Sequence, residues 1–388
     1  MIRLSAHTLG IWLALGTIIL AQSTTRGIPS FFPYNGQWHG GDVAYSIPLS
    51  PGRYLWLFGD SFVGKPSAER NPDDSMPRNT LAIADCDNRL HCSFQYHWRQ
   101  PSSGVPRAFF DTGSEEWYWP LDGFVANGKL YVFLERMHAA GDSAAFGFAY
   151  SGVVLASIEN FSDSPPQWHI VYQKILDGDT VVPGVAAVLP VAIPNLADSS
   201  LDPAYAYLFT WKKSDESAYL ALTRLRLSAL DDARLASNHW EYLSKSDAWI
   251  PWNTPVGIAK EAKIMVRGNF TELTVKYHPE LRRWLLTAPG DLLTGAALLS
   301  HADKLSGSWS LPQPIYSYPE AQQSNMDHTP NVFCYAAKEH PEFERKGAYV
   351  FSYACNSMKP PEIMKNSRLY HPVLVTLPMK KVATPAKR

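Results

Sequence analysis

Eight-residue apolar runs recur along the chain at nearly equal steps. "YLWLFGDS" begins at Tyr54, "LYVFLERM" at Leu130, "YAYLFTWK" at Tyr205, "RWLLTAPG" at Arg283 and "AYVFSYAC" at Ala348, at intervals of 76, 75, 78 and 65 residues. A further apolar run precedes each one: "DVAYSIPL" from Asp42, "DGFVANG" from Asp122, "GVAAVLPV" from Gly184, "ELTVKYH" from Glu272 and "PNVFCYA" from Pro330. The connectors include Pro51-Gly52, Asn127-Gly128 and "HPELRR" from His278 to Arg283, all suited to hairpin turns. A third run follows in each copy ("NTLAIADC", "GVVLASIE", "YLALTRLRL", "GAALLSHA", "HPVLVTLP"), and "FQYHW" and "HWEYLS" supply outer fourth strands. Their Val, Leu, Tyr, Phe and Trp content predicts strands. The best helical candidate is "LSALDDARLAS", Leu227 to Ser237.

Five copies of a three- or four-stranded antiparallel unit predict an all-β fold, a five-bladed β-propeller of antiparallel sheets forming one domain over residues 30–380. Radial packing buries both faces of every sheet, which accounts for the weak apolar–polar alternation. A β-sandwich is the rival, but it does not require five near-equal repeats.

Ahead of this domain, Arg3 and the 13-residue apolar run Leu9 to Ala21 read as an export signal over residues 1–21, with cleavage after Ala21 or Ser23. The run is too short to span a bilayer, and no later segment is long and apolar enough to do so. The expected location is secreted or periplasmic, as a monomer. An even set of four cysteines in an exported chain suggests two disulfides, and local pairing is preferred, Cys86 with Cys92 and Cys334 with Cys355. Their spacing lacks the paired C-x-x-C of a structural zinc site. With 35 basic and 36 acidic residues and no basic run, nucleic acid and anionic membrane surfaces are poor partners. Aromatics make up 13% of residues, enough to serve both core packing and sugar stacking.

In a propeller, the start of an inner strand and the end of the next strand share one face, the funnel. Asp42 and Asp60 each lie nine residues from Pro51, on opposite sides of it, which makes them near cross-strand partners. Facing like charges are destabilising, so such a pair points to proton sharing, cation binding or chemistry. Asp122, with Glu135 on its partner strand, and Glu272 extend the pattern to two more blades, and Asp327 and His328 precede the inner strand of the fifth. Arg78 and Asn79 follow on the same face. Trp38 and His39 in "NGQWHGGD" precede Asp42 and could stack on, or hydrogen-bond to, a sugar, with Gly40 and Gly41 allowing close backbone approach. Two carboxylates flanking a glycosidic bond are the minimal machinery for its hydrolysis. Asp42, Asp60, Asp122 and Glu272 are therefore the catalytic candidates; Trp38, His39, Arg78, Asn79, Glu135, Asp327 and His328 are the substrate-binding ones.

"GDS" at Gly59 to Ser61 also invites a serine-hydrolase reading. That chemistry needs a Ser-His-Asp arrangement and an α/β scaffold; the required later motifs are missing, and Asp327 and His328 are adjacent rather than spaced. Asp60 is the residue of interest. No P-loop, dinucleotide fingerprint or His-Glu-x-x-His is present.

Taken together, "GGDVAYSIPLSPGRYLWLFGDSFVG", "RNTLAIADC", "WPLDGFVANGKLYVFLERM", "FTELTVKYHPELRRWLL" and "GAYVFSYACN" resemble a family of exported five-bladed propellers, catalogued as a domain of unknown function, that contains endo-D-arabinanases acting on bacterial cell-wall polysaccharide. The resemblance implies a glycosidase-like fold, a funnel lined by Asp42, Asp60, Asp122 and Glu272, and an arabinan-like furanoside as substrate. The expectation is an exported glycoside hydrolase that needs no cofactor. Two other readings stay open: a non-catalytic carbohydrate-binding propeller, and a structural or protein-binding propeller whose central acids hold a cation.

Overall fold

Turn chemistry sets the hairpins. Asn127 and Gly128 take left-handed φ values of 50° and 73°, as a tight two-residue turn requires, and join Trp117–Ala126 to Lys129–Ala139. Gly52, at φ 76°, closes the turn between Tyr45–Ser50 and Arg53–Phe58. The computed structural model describes residues 31–383 except 34–35, 67–69, 89, 142–146, 179, 213–217, 233–238, 253–259, 269, 292–294 and 327–330. The export signal over residues 1–21 lies outside the described residues, as do Asp327 and His328.

Five antiparallel sheets form a five-bladed β-propeller. Blade one is Tyr45–Ser50, Arg53–Phe58, Thr80–Cys86 and Cys92–His97; blade two is Trp117–Ala126, Lys129–Ala139, Phe148–Ile158 and Ile170–Asp177. Blade three runs outward from Val181–Val188 through Tyr205–Lys212 and Tyr219–Arg226 to Trp240–Leu243 and Trp249–Pro251. Blade four is Thr274–His278, Arg283–Pro289, Ala296–Ala302 and Gln313–Ser317, and blade five Val332–Glu339, Ala348–Ser357 and Val373–Pro378. Each of the five recurring second runs is the second strand of a blade. The helical expectation at Leu227 to Ser237 yields only a 3₁₀ turn, Leu227–Ala229; residues 233–238 lie outside the described set.

Apolar side chains fill the seams between blades. Val43, Tyr45 and Leu57 of blade one pack with Tyr118, Val132 and Leu134 of blade two. Leu285 and Leu299 of blade four pack with Tyr349 and Phe351 of blade five. Each such side chain, fully buried, stabilises the fold by about 1.5–3 kcal/mol. Polar bonds close the ring between first and last blades: Ser46 Oγ lies 2.6 Å from His340 Nδ1. Cross-strand disulfides join Cys86 to Cys92 in blade one and Cys334 to Cys355 in blade five, as the sequence suggested. Among the described residues no helix is long and apolar enough to cross a membrane.

Inner strands are irregular where they face the axis. In blades two, three and five the register slips between Pro120 and Gly123, Pro183 and Ala186, and Tyr335 and Lys338. Such bulges re-aim side chains and often lie beside functional sites. The first of them corrects one expectation: the inner strand of blade two starts at Trp117, so Asp122 sits inside it, in the bulge, rather than at its beginning.

Candidate active site

Asp42 and Asp60 meet where the first hairpin of blade one opens. Asp42 N donates to Asp60 O at 3.3 Å, and Gly59 N to Asp42 O at 3.2 Å. A Cβ on Gly59 would overlap the Asp42 carboxylate, so only glycine leaves room for it. Both aspartates are at least nine-tenths buried. The backbone here is strained: Val43, Ala44, Ala336 and Tyr370 take φ values of 71°, 55°, 58° and 54°. Left-handed conformations in residues with a Cβ cost about 1–3 kcal/mol each and gather at functional sites. For β-branched Val43 the conformation is a genuine outlier.

The two carboxylates are solvated unequally. Asp60 receives an N–H on each oxygen, from Arg78 Nη1 at 3.1 Å on Oδ2 and from Trp119 Nε1 at 2.9 Å on Oδ1. Asp42 Oδ2 accepts the Tyr335 hydroxyl at 2.7 Å, while its Oδ1 is buried with no hydrogen-bond partner among the described residues. Burial, then the charges of Asp60 and Glu272, push Asp42 well above the usual carboxylate range, against the pull of Tyr335 and Lys338. Burial also raises Asp60, but the Arg78 charge and the two N–H donors oppose it. The surroundings thus favour the ionised form at Asp60 more than at Asp42.

Glu272 comes in from blade four just before its inner strand, with Oε1 3.9 Å from Lys338 Nζ. Glu135 of blade two keeps some solvent contact, yet burial and then the charge of Glu272 push it up to about 8. The fold thus brings Asp42, Asp60, Glu272, Glu135 and Arg78 into one electrostatic cluster. Asp122 stands apart from its expected role. Its carboxylate accepts Gly123 N at 2.8 Å and Ala187 N at 2.9 Å, pinning the inner strand of blade two to that of blade three.

Three of the expected sugar contacts are packing residues instead. The segment Trp38–Gly41 pairs with Ser61–Val63 as a two-stranded flap that turns these side chains inward. Trp38 is fully buried, stacked on Tyr96 at 4.2 Å and donating to Thr80 Oγ1 at 3.2 Å. His39, also fully buried, has Asp74 Oδ2 at 2.6 Å from Nδ1 and Gly36 O at 3.3 Å from Nε2. Asn79 donates to Phe110 O and Tyr118 O, both at 2.9 Å, and accepts Phe110 N at 2.8 Å, so it ties blade one to blade two. Ser61 is buried, its hydroxyl against Gly59 O at 2.9 Å and Thr80 Oγ1 at 2.8 Å, and among the described residues no histidine bonds it as a base.

Other site residues escaped the sequence reading. Tyr335 and Lys338 come from "CYAAKEH", where nothing but the bulge distinguishes them from core positions. Trp119 and Trp117 alternate with buried Tyr118 and Pro120 in "WYWP"; that alternation was the available signal. Trp117, Trp119 and Phe148 form a partly exposed aromatic group, with Phe148 edge-on to Trp119 at 4.7 Å and the Arg78 guanidinium 4.5 Å over Trp117. Elsewhere, His278, Glu339 and Glu344 crowd the seam of blades four and five. His278 Nε2 is 2.5 Å from Glu339 Oε1, and the glutamates hold His278 up at about 10, so this is an ion-pair network with a proton in place. A cavity of about 340 Å³ lined by Phe31, Leu90, Phe343 and Val350 lies by the seam of blades five and one, away from the acids.

A family model described as "Domain of unknown function (DUF5005)" matches residues 28–377. The chain belongs to that family. Among solved structures, this DUF5005 protein is similar to a presumptive hydrolase from Bacteroides ovatus, at 15% identity over 89% of this chain and 87% of that one, with a TM-score of 0.64. At that identity the likeness shows the fold alone. Weaker matches include a GH43_1 enzyme from Xanthomonas citri (10% identity, 87% and 88% covered, TM-score 0.45) and an exo-β-1,3-galactanase from Phanerochaete chrysosporium (13%, 87% and 60%, 0.42). No protein of curated function matches the chain.

Proposed function

We propose that this DUF5005 protein is an exported, monomeric glycoside hydrolase in which Asp42 donates a proton to the leaving oxygen while ionised Asp60 acts as the base or nucleophile. The observation that carries this reading is the unequal solvation of a buried aspartate pair. Asp60 has both oxygens occupied by N–H donors, whereas among the described residues Asp42 Oδ1 accepts no geometric hydrogen bond and only tyrosine hydroxyls, of Tyr335 and Tyr370, act on that carboxyl as donors. Environments that push two carboxyls apart are what acid and base roles in one site require. Glu272 and Glu135, in the same cluster, would bind substrate hydroxyls or adjust the field. Asp122 would act only through the scaffold.

A saccharide substrate draws support from the partly exposed rings of Trp117, Trp119 and Phe148 beside Asp60, which offer flat apolar faces for sugar C–H groups. An arabinan-like furanoside is the substrate class proposed, on the sequence resemblance. The two disulfides suit an oxidising location outside the cytoplasm, secreted or periplasmic.

The test is product release from a polysaccharide panel including arabinan and xylan, for wild type, Asp42→Asn and Asp60→Asn. Hydrolysis by wild type, lost in both variants, supports the reading. Tight binding without product from any member of the panel would instead make the protein a carbohydrate-binding propeller.

A further inference from the structure

One buried charge has no place in that chemistry. Lys338 is fully enclosed, although an ammonium withdrawn from water is among the costliest groups to bury. Its hydrogen bond to Ala336 O is long, at 3.4 Å. Glu272 Oε1 is 3.9 Å away, and the Tyr45 ring centroid 4.4 Å. The charges that compensate it belong to three other blades: Glu272 of blade four, Asp42 of blade one and Asp122 of blade two. The backbone is bent to achieve this. The bulge between Tyr335 and Lys338 holds Ala336 in a left-handed conformation, and from it Tyr335 reaches Asp42 while Lys338 reaches Glu272.

We propose that the ammonium of Lys338 is the fixed counterion of the axial acid cluster, a positioning residue that determines which carboxyls keep their protons. The charged groups that act on it are Glu272 and Asp42 of the cluster and the bracing acid Asp122; the Tyr45 ring packs against it, Asp60 and Glu135 act on it through Asp42 and Glu272, and His340 feels its charge together with that of Lys276. Burial lowers the Lys338 pKa and the acids oppose that drop, so cluster and amine stabilise each other's charge. The activity arm of the test rests on the glycosidase reading; the stability arm does not.

The experiment compares melting temperature between pH 4 and pH 8 for wild type and Lys338→Met, which keeps the shape and removes the charge. When the acids are protonated the lysine is a burden, and when they ionise it is needed. The variant should therefore match or exceed wild type near pH 4 and fall progressively below it toward pH 8. A difference that stays constant across that range would overturn the proposal and leave Lys338 a packing residue. Should Lys338→Met not fold, Lys338→Ala is melted at pH 8 with and without methylammonium. A rise in melting temperature absent with sodium supports the counterion, and no rise overturns it. With the polysaccharide that the panel identifies, the activity profile of Lys338→Met should move alkaline by about one pH unit. If no substrate is found yet the melting curves diverge as described, the counterion stands and the glycosidase reading falls.

Discussion

The Tyr335 hydroxyl donates to Asp42 Oδ2 at 2.7 Å, joining the last blade of the propeller to the acid that opens the first. The bond stabilises the ionised form of Asp42 and so lowers its pKa against the much larger effect of burial. Tyr335→Phe should therefore make Asp42 hold its proton more tightly. A hydrogen bond to a charged group is worth about 1.5–3 kcal/mol, so kcat should fall roughly tenfold or more. The alkaline limb of the pH–rate profile should move up, by about one unit for each 1.4 kcal/mol. Profiles of both proteins on one substrate check this.

Arg78 acts on the other carboxyl. Its guanidinium supplies a charge and one of the two N–H donors that oppose the rise of Asp60. Arg78→Met should shift the acid limb of activity upward, with the loss greatest near pH 5 and partly recovered near pH 8. Arg78→Lys, which keeps the charge, should lie between. Equal loss at every pH would indicate a contact with substrate rather than control of Asp60.

Asn79 is predicted to matter for stability alone. Its three hydrogen bonds satisfy the backbone of Phe110 and Tyr118 across the seam of blades one and two. Asn79→Ala leaves buried carbonyls and an N–H unpaired, at a cost of about 3 kcal/mol. Urea unfolding should show a lower midpoint with unchanged slope, and activity per folded molecule should match wild type.

Alkaline sensitivity should come from the seam of blades four and five. Glu339, with Glu344 and Glu280, raises His278 from 6.5 to about 10 against its burial. A histidine with a raised pKa contributes fully below its unfolded value, and the contribution is lost as pH climbs through the folded one. Glu344, pushed up from 4.5 to about 8 by burial and the charge of Glu339, is forced to ionise in an unfavourable place and so adds a loss of stability between about pH 4.5 and pH 8. Melting temperature should decline from about pH 6.5 to pH 10, and His278→Gln should flatten that decline while lowering stability at pH 6. A wild-type curve flat over this range would contradict the ion-pair assignment.

The parts of this protein that repeat were legible from the sequence, and the parts that deviate were not. Strand runs at equal spacing gave the blades because each blade solves one packing problem with one pattern. Asp42 and Asp60 could be paired because a hairpin turn at Pro51-Gly52 fixes their register. Asp122 was misplaced because a bulge adds a residue that no turn signal announces, converting an expected funnel acid into a brace for Ala187. Trp38, His39 and Asn79 were misread because the flap pairing Trp38–Gly41 with Ser61–Val63, and the polar seam to blade two, lie outside the repeat. Tyr335 and Lys338 stayed hidden since a left-handed alanine, not a glycine, aims them.

Leaving-group dependence separates the two aspartates most directly. Take the sugar that the panel identifies, and compare Asp42→Asn and Asp60→Asn on the polysaccharide and on an aryl glycoside whose phenol departs without protonation. Asp42→Asn should lose at least about 100-fold on the polysaccharide and less than about tenfold on the aryl glycoside, while Asp60→Asn loses both. Wild-type turnover by either variant on the polysaccharide, or an Asp42→Asn loss equal on both substrates, would contradict the assignment of Asp42 as proton donor and Asp60 as its ionised partner.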